Sequence, residues 1–174
     1  MREEVDFKDA VETFKFNDYV HLGALEKTSD VTMRFQVAVK GKEGTPFEGG
    51  SFTFTLDIPP NYPFRPPTIH CDTPVWHPLV DSSTPAGRAN VLFYLYPESL
   101  QPRHYDEAIP EGWTPQRTLA DIIQALINIM HLLPPHWTSL DCINNEARDQ
   151  VIADYPAFEA KAKEWVTRFA KNDH

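Results

Sequence analysis

Cysteine is nearly absent from this chain: Cys71 and Cys142 are the only two among 174 residues. Two cannot build the framework of bridges that staples small secreted domains. A reducing compartment, the cytoplasm, is therefore the expected setting, with a single Cys71–Cys142 bridge as the alternative. Positive charge is also short. Sixteen Lys and Arg against 25 Asp and Glu leave a formal net charge of −9, which argues against duplex nucleic acid or anionic membrane as the main partner, because both need a concentrated basic surface. Long apolar runs are missing too. The longest apolar helical stretch, Leu119 to Leu133, is too short and too amphipathic to span a bilayer. The opening Met1-Arg2-Glu3-Glu4-Val5-Asp6 has neither the apolar core of a secretory signal nor the acid-poor character of a transit peptide. There is no internal repeat and no low-complexity tract. These absences leave proteins as the expected partners, with no cofactor, no metal, no nucleic acid and no membrane insertion.

Proline, by contrast, is plentiful. The 16 prolines sit in short groups between patterned segments, which points to rigid loops rather than disorder. The length suits a single domain over 1–174, with a core from about 5 to 170. Phe7, Val11 and Phe14 fall at helical spacing within 4–16, and 19–25 reads as a strand. Residues 32–40 alternate, with Met33, Phe35, Val37 and Val39 on one side and Thr32, Arg34 and Gln36 on the other. Residues 51–58 repeat the pattern through Phe52, Phe54, Leu56 and Ile58. Period-two alternation of β-branched and aromatic residues predicts strands buried on one face. Lys40 to Pro46 reads as an exposed turn, Gly49-Gly50 as the entry to the next strand, and 68–71 as a short fourth strand. The stretch from 74 to 117 lacks periodicity, apart from a candidate strand at 91–96. A connection of that length is either functional or an insertion.

The last third is helical. Leu119, Ile122, Ile123, Leu126, Met130 and Leu133 form an apolar stripe, with Thr118 as N-cap and Pro134-Pro135 as the stop. Asn144 or Asn145 caps a helix through Ile152. Pro156 opens a final helix that places Phe158, Ala162, Trp165 and Phe169 on one face. Helix, four-stranded antiparallel meander, long loop and three C-terminal helices make an α+β layout with helices covering one face of the sheet.

Several blocks carry a family resemblance. Pro46-Phe47-Glu48-Gly49-Gly50-Ser51-Phe52, then Tyr62-Pro63-Phe64-Arg65-Pro66-Pro67, then His77-Pro78, resemble the turn, proline cluster and H-P of the ubiquitin-conjugating enzyme superfamily. Trp113-Thr114-Pro115 with Thr118-Leu119, and Asn144-Asn145-Glu146-Ala147, look like that family's entries to its central and third helices. The blocks run in order over most of the chain, and the resemblance implies the UBC-like fold. The proline cluster itself cannot continue a strand, because three of its six residues lack an amide donor.

The resemblance also implies a cysteine about ten residues after the His of H-P-N, as the thiolate that accepts ubiquitin, and an Asn that supports it. Here Leu79 follows His77-Pro78, and no cysteine lies between 72 and 141. Gly87-Arg88-Ala89-Asn90-Val91-Leu92 is similar to the family's G-x-I-C-L and puts Asn90 where the cysteine would be. His77, Pro78, Leu79 and Asn90 thus read as a degenerate site. Cys71 reads as a small buried apolar residue. Cys142 lies in a loop that the resemblance brings near the active-site side. His70-Cys71-Asp72 with His77 lacks the further pair a metal site needs. His131 and His136 read as helix-end residues, and His104-Tyr105-Asp106-Glu107 as a solvated loop.

The expected function is a protein that is no enzyme: a conjugating-enzyme-like scaffold or adaptor that binds protein partners, alone or as one subunit of a larger assembly. Its extended loop, 82–112, offers Leu92, Phe93, Tyr94, Leu95 and Tyr96 as candidate partner-binding residues. Pro74 to Asp81 is similar to the P-V-F-H-P-L-V-D of the fused-toes proteins, cysteine-less variants that act as adaptors joined to Hook-type proteins in vesicle transport. The alternative is ubiquitin or ubiquitin-like transfer, either by pairing with an active conjugating enzyme or through Cys142. Weak non-covalent ubiquitin binding on the exposed sheet face fits both.

Overall fold

The computed structural model describes residues 2–29, 32–83, 87–89, 113–131 and 143–171. Helix α1 (Arg2–Phe14) leads into β1 (Val20–Leu22), β2 (Glu26–Lys27), β3 (Met33–Lys40), β4 (Ser51–Ile58), β5 (Thr68–Cys71) and β6 (Gly87–Arg88). Helices α2 (Leu119–His131), α3 (Asn145–Ala153) and α4 (Tyr155–Trp165) follow, and α4 runs into a π-helical turn at Val166–Ala170. The sheet is ordered β1-β3-β4-β5-β6, with β2 also paired to β3.

The alternation in the sequence is what builds this sheet. In the β3–β4 register Phe35 faces Leu56, Val37 faces Phe54 and Val39 faces Phe52, and all six are buried. Each such side chain removed from water contributes roughly 1.5–3 kcal/mol. Arg34 and Asp57 pair on the opposite face, which carries no apolar layer and stays half-exposed. The turn between the two strands closes tightly. A Cβ on Gly41 would lie 1.9 Å from the Phe47 carbonyl oxygen, so only glycine fits.

Helix α2 joins the buried face to form one core. Leu119, Ile122, Ile123, Leu126 and Met130 are buried as the stripe predicts, and Ala125, Ile127 and Ile129 are buried beside them. The burial runs nearly all round the helix because α1 and β3 both pack on it. Its start is a reciprocal cap: the Asp121 amide donates to Thr118 Oγ1 at 3.3 Å, and the Thr118 amide donates to Asp121 Oδ2 at 2.9 Å. The expected stop at Pro134-Pro135, like the candidate strand at 91–96, lies outside the described residues.

Three details differ from the sequence reading. The expected first strand is interrupted after Leu22, and its continuation, β2, pairs further along β3. The loop after β5 contributes a two-residue strand, β6. In the last helix Phe158 and Ala162 are buried, but Phe169, expected on the same face, is 43% exposed while Val166 and Ala170 are buried. The wider π-helical turn advances the phase after Trp165, which rotates Phe169 out and Ala170 in.

Candidate functional site

The segment from Trp76 to Ser83 is where the family resemblance places its site, and the structure ties it down from several sides. His77 is fully buried and stacks on Phe47 with ring centroids 5.4 Å apart. The Leu79 amide, which can only donate, lies 3.0 Å from His77 Nδ1. Nδ1 therefore accepts, and Nε2 carries the hydrogen and donates to the Ile129 carbonyl at 2.8 Å. Burial pushes the His77 imidazole down to about 3, so at neutral pH it is an uncharged strut between the turn and α2. With both ring nitrogens engaged and no solvent contact, it does not serve as a proton shuttle.

Leu79 is also fully buried. It stands where the resemblance expects an Asn, and it fills that place with apolar contact instead of a hydrogen bond. Trp76 is anchored by its indole Nε1, which donates to Gln150 Oε1 on α3 at 2.8 Å. The Lys161 ammonium sits 3.6 Å from the Trp76 ring centroid.

Strand β6 runs beside this turn. The Asp81 amide donates to the Arg88 carbonyl at 2.9 Å, and Val80 bridges Ala89. The approach requires Gly87, since a Cβ there would lie 1.8 Å from the Asp81 carbonyl oxygen. The two halves of the predicted constellation, His77-Pro78-Leu79 and Gly87-Arg88-Ala89, are thus brought side by side. Asn90 itself, the aromatic stretch Leu92 to Tyr96, Cys142, His136 and the 104–107 loop lie outside the described residues.

Asn144 has a second role that a reading of its motif as a helix cap overlooks. It is buried to 8% exposure, and its Oδ1 accepts from the Ala147 amide at 3.0 Å, capping α3. Its backbone N–H also donates to the Pro78 carbonyl at 2.9 Å, and its Nδ2 donates to Ser82 Oγ at 3.2 Å. One residue therefore clamps both ends of the 78–82 turn to α3. The N-x-E-A block signals the cap, but nothing along the chain signals the clamp. Nearby, the Asp81 carboxyl is held below the usual carboxylate range by hydrogen bonds from the Ser83 hydroxyl and amide.

Cys71 sits on β5 at 2% exposure. Its thiol donates to the Thr73 carbonyl at 3.1 Å, and burial pushes it up to about 12. It remains a thiol at neutral pH and is a poor nucleophile there. His131 hydrogen-bonds the Lys40 carbonyl at 3.0 Å and meets Tyr19 edge-on, so this helix-end residue ties α2 to the sheet. Among the described residues no cluster of three or more His, Cys, Asp or Glu side chains could hold a metal ion, and no helix is long and apolar enough to cross a membrane.

Comparisons with known proteins set this geometry in a family. Residues 15–166 match the model of the ubiquitin-conjugating enzyme family. The chain is 30% identical over 142 residues to ubiquitin conjugating enzyme E2 B of Dictyostelium discoideum, covering 82% of this chain and 81% of that protein. It is 31% identical over 134 residues to ubiquitin-conjugating enzyme E2 21 of Caenorhabditis elegans, covering 77% of this chain but only 53% of the relative. A ubiquitin conjugating enzyme domain from Toxoplasma gondii superposes with a TM-score of 0.68 at 24% identity, over 97% of this chain and 100% of that one, which speaks for the fold alone.

These findings overturn one expectation. The chain was expected to be no enzyme, yet its family and the relatives it aligns with are conjugating enzymes. The physical reason is that Asn90 speaks for one position in chain order, whereas a reacting thiol is defined by its place in space. The matched family model, the aligned relatives and the shared fold agree: this chain belongs to the ubiquitin-conjugating enzyme family.

Proposed function

We propose that this chain works in the conjugation of ubiquitin or a ubiquitin-like protein as a docking module, holding protein partners against the rigid surface of its fold. The observation that carries this reading is the clamped turn. Residues 77–82 are fixed by α2 through His77, by α3 through Asn144 and by β6 through Asp81, so the face around the site is presented to a partner already ordered. Sulfur chemistry on this chain falls to Cys142, because Cys71 is buried and its thiol raised. Asn144, two residues further along, is bonded to Pro78 and Ser82, which favours that assignment. The whole chain, 1–174, acts as one unit in the cytoplasm.

The test is charging. The protein is incubated with activating enzyme, ATP and a panel of ubiquitin-like proteins, then run on a non-reducing gel. A thiol-sensitive adduct that survives Cys71→Ala and disappears in Cys142→Ala is the expected result. No adduct with any panel member overturns transfer on Cys142. The docking part is then tested by adding an active conjugating enzyme and measuring complex formation directly.

A second reading, an adaptor similar to the fused-toes proteins, is favoured by the buried Leu79 within Pro74 to Asp81. It assigns partner capture to the 82–112 loop and its Leu92, Phe93, Tyr94, Leu95 and Tyr96. Deleting 97–112 should leave the fold intact and weaken capture of whatever co-purifies with the native protein. Unchanged capture rejects the loop as the docking element.

A further inference from the structure

The proline cluster and strands β4 to β6 enclose a groove of about 430 Å³. Pro59, Pro60 and Pro66 supply its accessible apolar wall, with Ile58, Pro67, Ile69 and Ala89 buried behind them. Two guanidiniums flank it. Arg65 belongs to the stiff proline segment, and Arg88 lies on β6 opposite His70. Both are exposed, and neither side chain has a hydrogen bond or ion pair among the described residues.

Arg2, Arg34, Arg148 and Arg168 each have a carboxylate within 4.0 Å, and the chain as a whole carries a net charge of −9. The groove's one acidic lining residue, Asp57, is already bound to Arg34 at 2.6 Å. On an acidic protein, two exposed arginines with no side-chain partner among the described residues thus stand beside one groove.

We infer that this groove docks an extended acidic segment of a protein partner, in which carboxylate side chains meet Arg65 and Arg88 while alternate apolar side chains rest on the proline wall. Guanidinium presents a planar fork matched to carboxylate, so each arginine can engage one acidic side chain through two hydrogen bonds. An extended peptide sends alternate side chains to opposite sides, which suits a site with a charged rim and an apolar floor. Arg65 is carried by a backbone that proline already restrains, which lowers the ordering cost of capture. The inference does not depend on whether Cys142 accepts ubiquitin, because no cysteine is among the residues that line the groove.

Fluorescence anisotropy on the intact protein tests it. The probes are a fluorescein-labelled peptide of four Glu-Leu repeats, the same peptide with Gln or with Lys for Glu, and one with phosphoserine for a central Glu. The Glu peptide should bind, weaken as salt is raised, and lose about tenfold or more in affinity to the double variant Arg65→Ser with Arg88→Ser. The pair Arg65→Lys with Arg88→Lys should fall between, keeping the charge without the fork. Since both side chains are exposed, unchanged thermal unfolding is expected of the variants. Equal binding of the Glu and Gln peptides, no binding of the Glu peptide, or indifference to the double serine variant overturns the inference. Tighter binding of the phosphoserine peptide overturns the carboxylate assignment and gives the groove to phosphorylated partners.

Discussion

Two buried polar corners hold this fold, and they do so by opposite means. At the proline corner the Tyr62 hydroxyl donates to the buried Asp6 carboxylate. Arg2 Nε bonds the same carboxylate at 2.9 Å, its Nη2 reaches the Arg117 carbonyl at 3.1 Å, and the Trp113 indole donates to the Pro63 carbonyl at 2.8 Å. Burial, then the bond to Asp6, pushes the Tyr62 phenol well above its ordinary range. At the other corner His77 meets a backbone amide, a backbone carbonyl and the Phe47 ring, and is held neutral. The difference is access to water. The Arg2 side chain is 37% exposed, so the ion pair at the proline corner keeps part of its hydration. His77 has no exposure, and burial disfavours the charged ring. The lesson concerns the turn: its start at His77 and Leu79 is buried, while Asp81 to Ser83 at its end stay open to water.

The sharpest way to break this contrast is Leu79→Asn, which puts an amide into a fully buried apolar place. Losing the leucine's burial costs about 1.5–3 kcal/mol and an unpaired amide about 1–3 kcal/mol more. Urea unfolding should show a loss of roughly 3–5 kcal/mol. A near-neutral result would mean that the turn admits a polar partner after all.

His77→Gln comes next, at roughly 2–3 kcal/mol, because it strands the Leu79 amide or the Ile129 carbonyl. It also carries a pH test. The unfolded chain takes up a proton at His77 near pH 6.5, while the folded chain resists it down to about 3. Between those values the unfolded state binds the extra proton, so stability falls as the pH drops through that window, by about 1.4 kcal/mol per unit. The variant should lack that slope, seen as a difference between the two proteins in urea midpoints from pH 7 to pH 4. Parallel profiles would show that His77 is not the dry strut described above.

At the proline corner the effects should be smaller. Tyr62→Phe removes one hydrogen bond but leaves Asp6 with Arg2, for about 1–2 kcal/mol by thermal unfolding. Arg2→Met should cost less than about 1 kcal/mol, since its ion pair is part-exposed, and added salt should narrow the gap from the parent protein. A larger loss at Arg2 than at His77 would reverse the comparison.

The strands and helices were readable because each buries one face. Phe35, Val37 and Val39 alternate, and the α2 stripe recurs at helical spacing, so local pattern and tertiary burial coincide. The last helix was read less well, because a π-helical turn after Trp165 breaks the period on which the reading of Phe169 rests. At the site, the apolar nature of Leu79 was visible in the chain. The neutral state of His77 was not, for it depends on what 52 residues of separation bring to its ring, the Ile129 carbonyl. The double duty of Asn144 was hidden for the same reason: its bonds to Pro78 and Ser82 cross more than 60 residues.

What the sequence determined by itself was the set of elements, their order and the chemistry available: two thiols, an H-P followed by leucine, and a proline cluster between strands. Those follow from side-chain spacing and from which atoms a residue possesses. What only the tertiary structure decided was the state of those groups. It buried Cys71 and left it a thiol, held His77 uncharged, clamped the turn through Asn144, and left Arg65 and Arg88 uncommitted beside one groove. Protonation, reactivity and availability depend on solvent and neighbours, and neighbours come from packing.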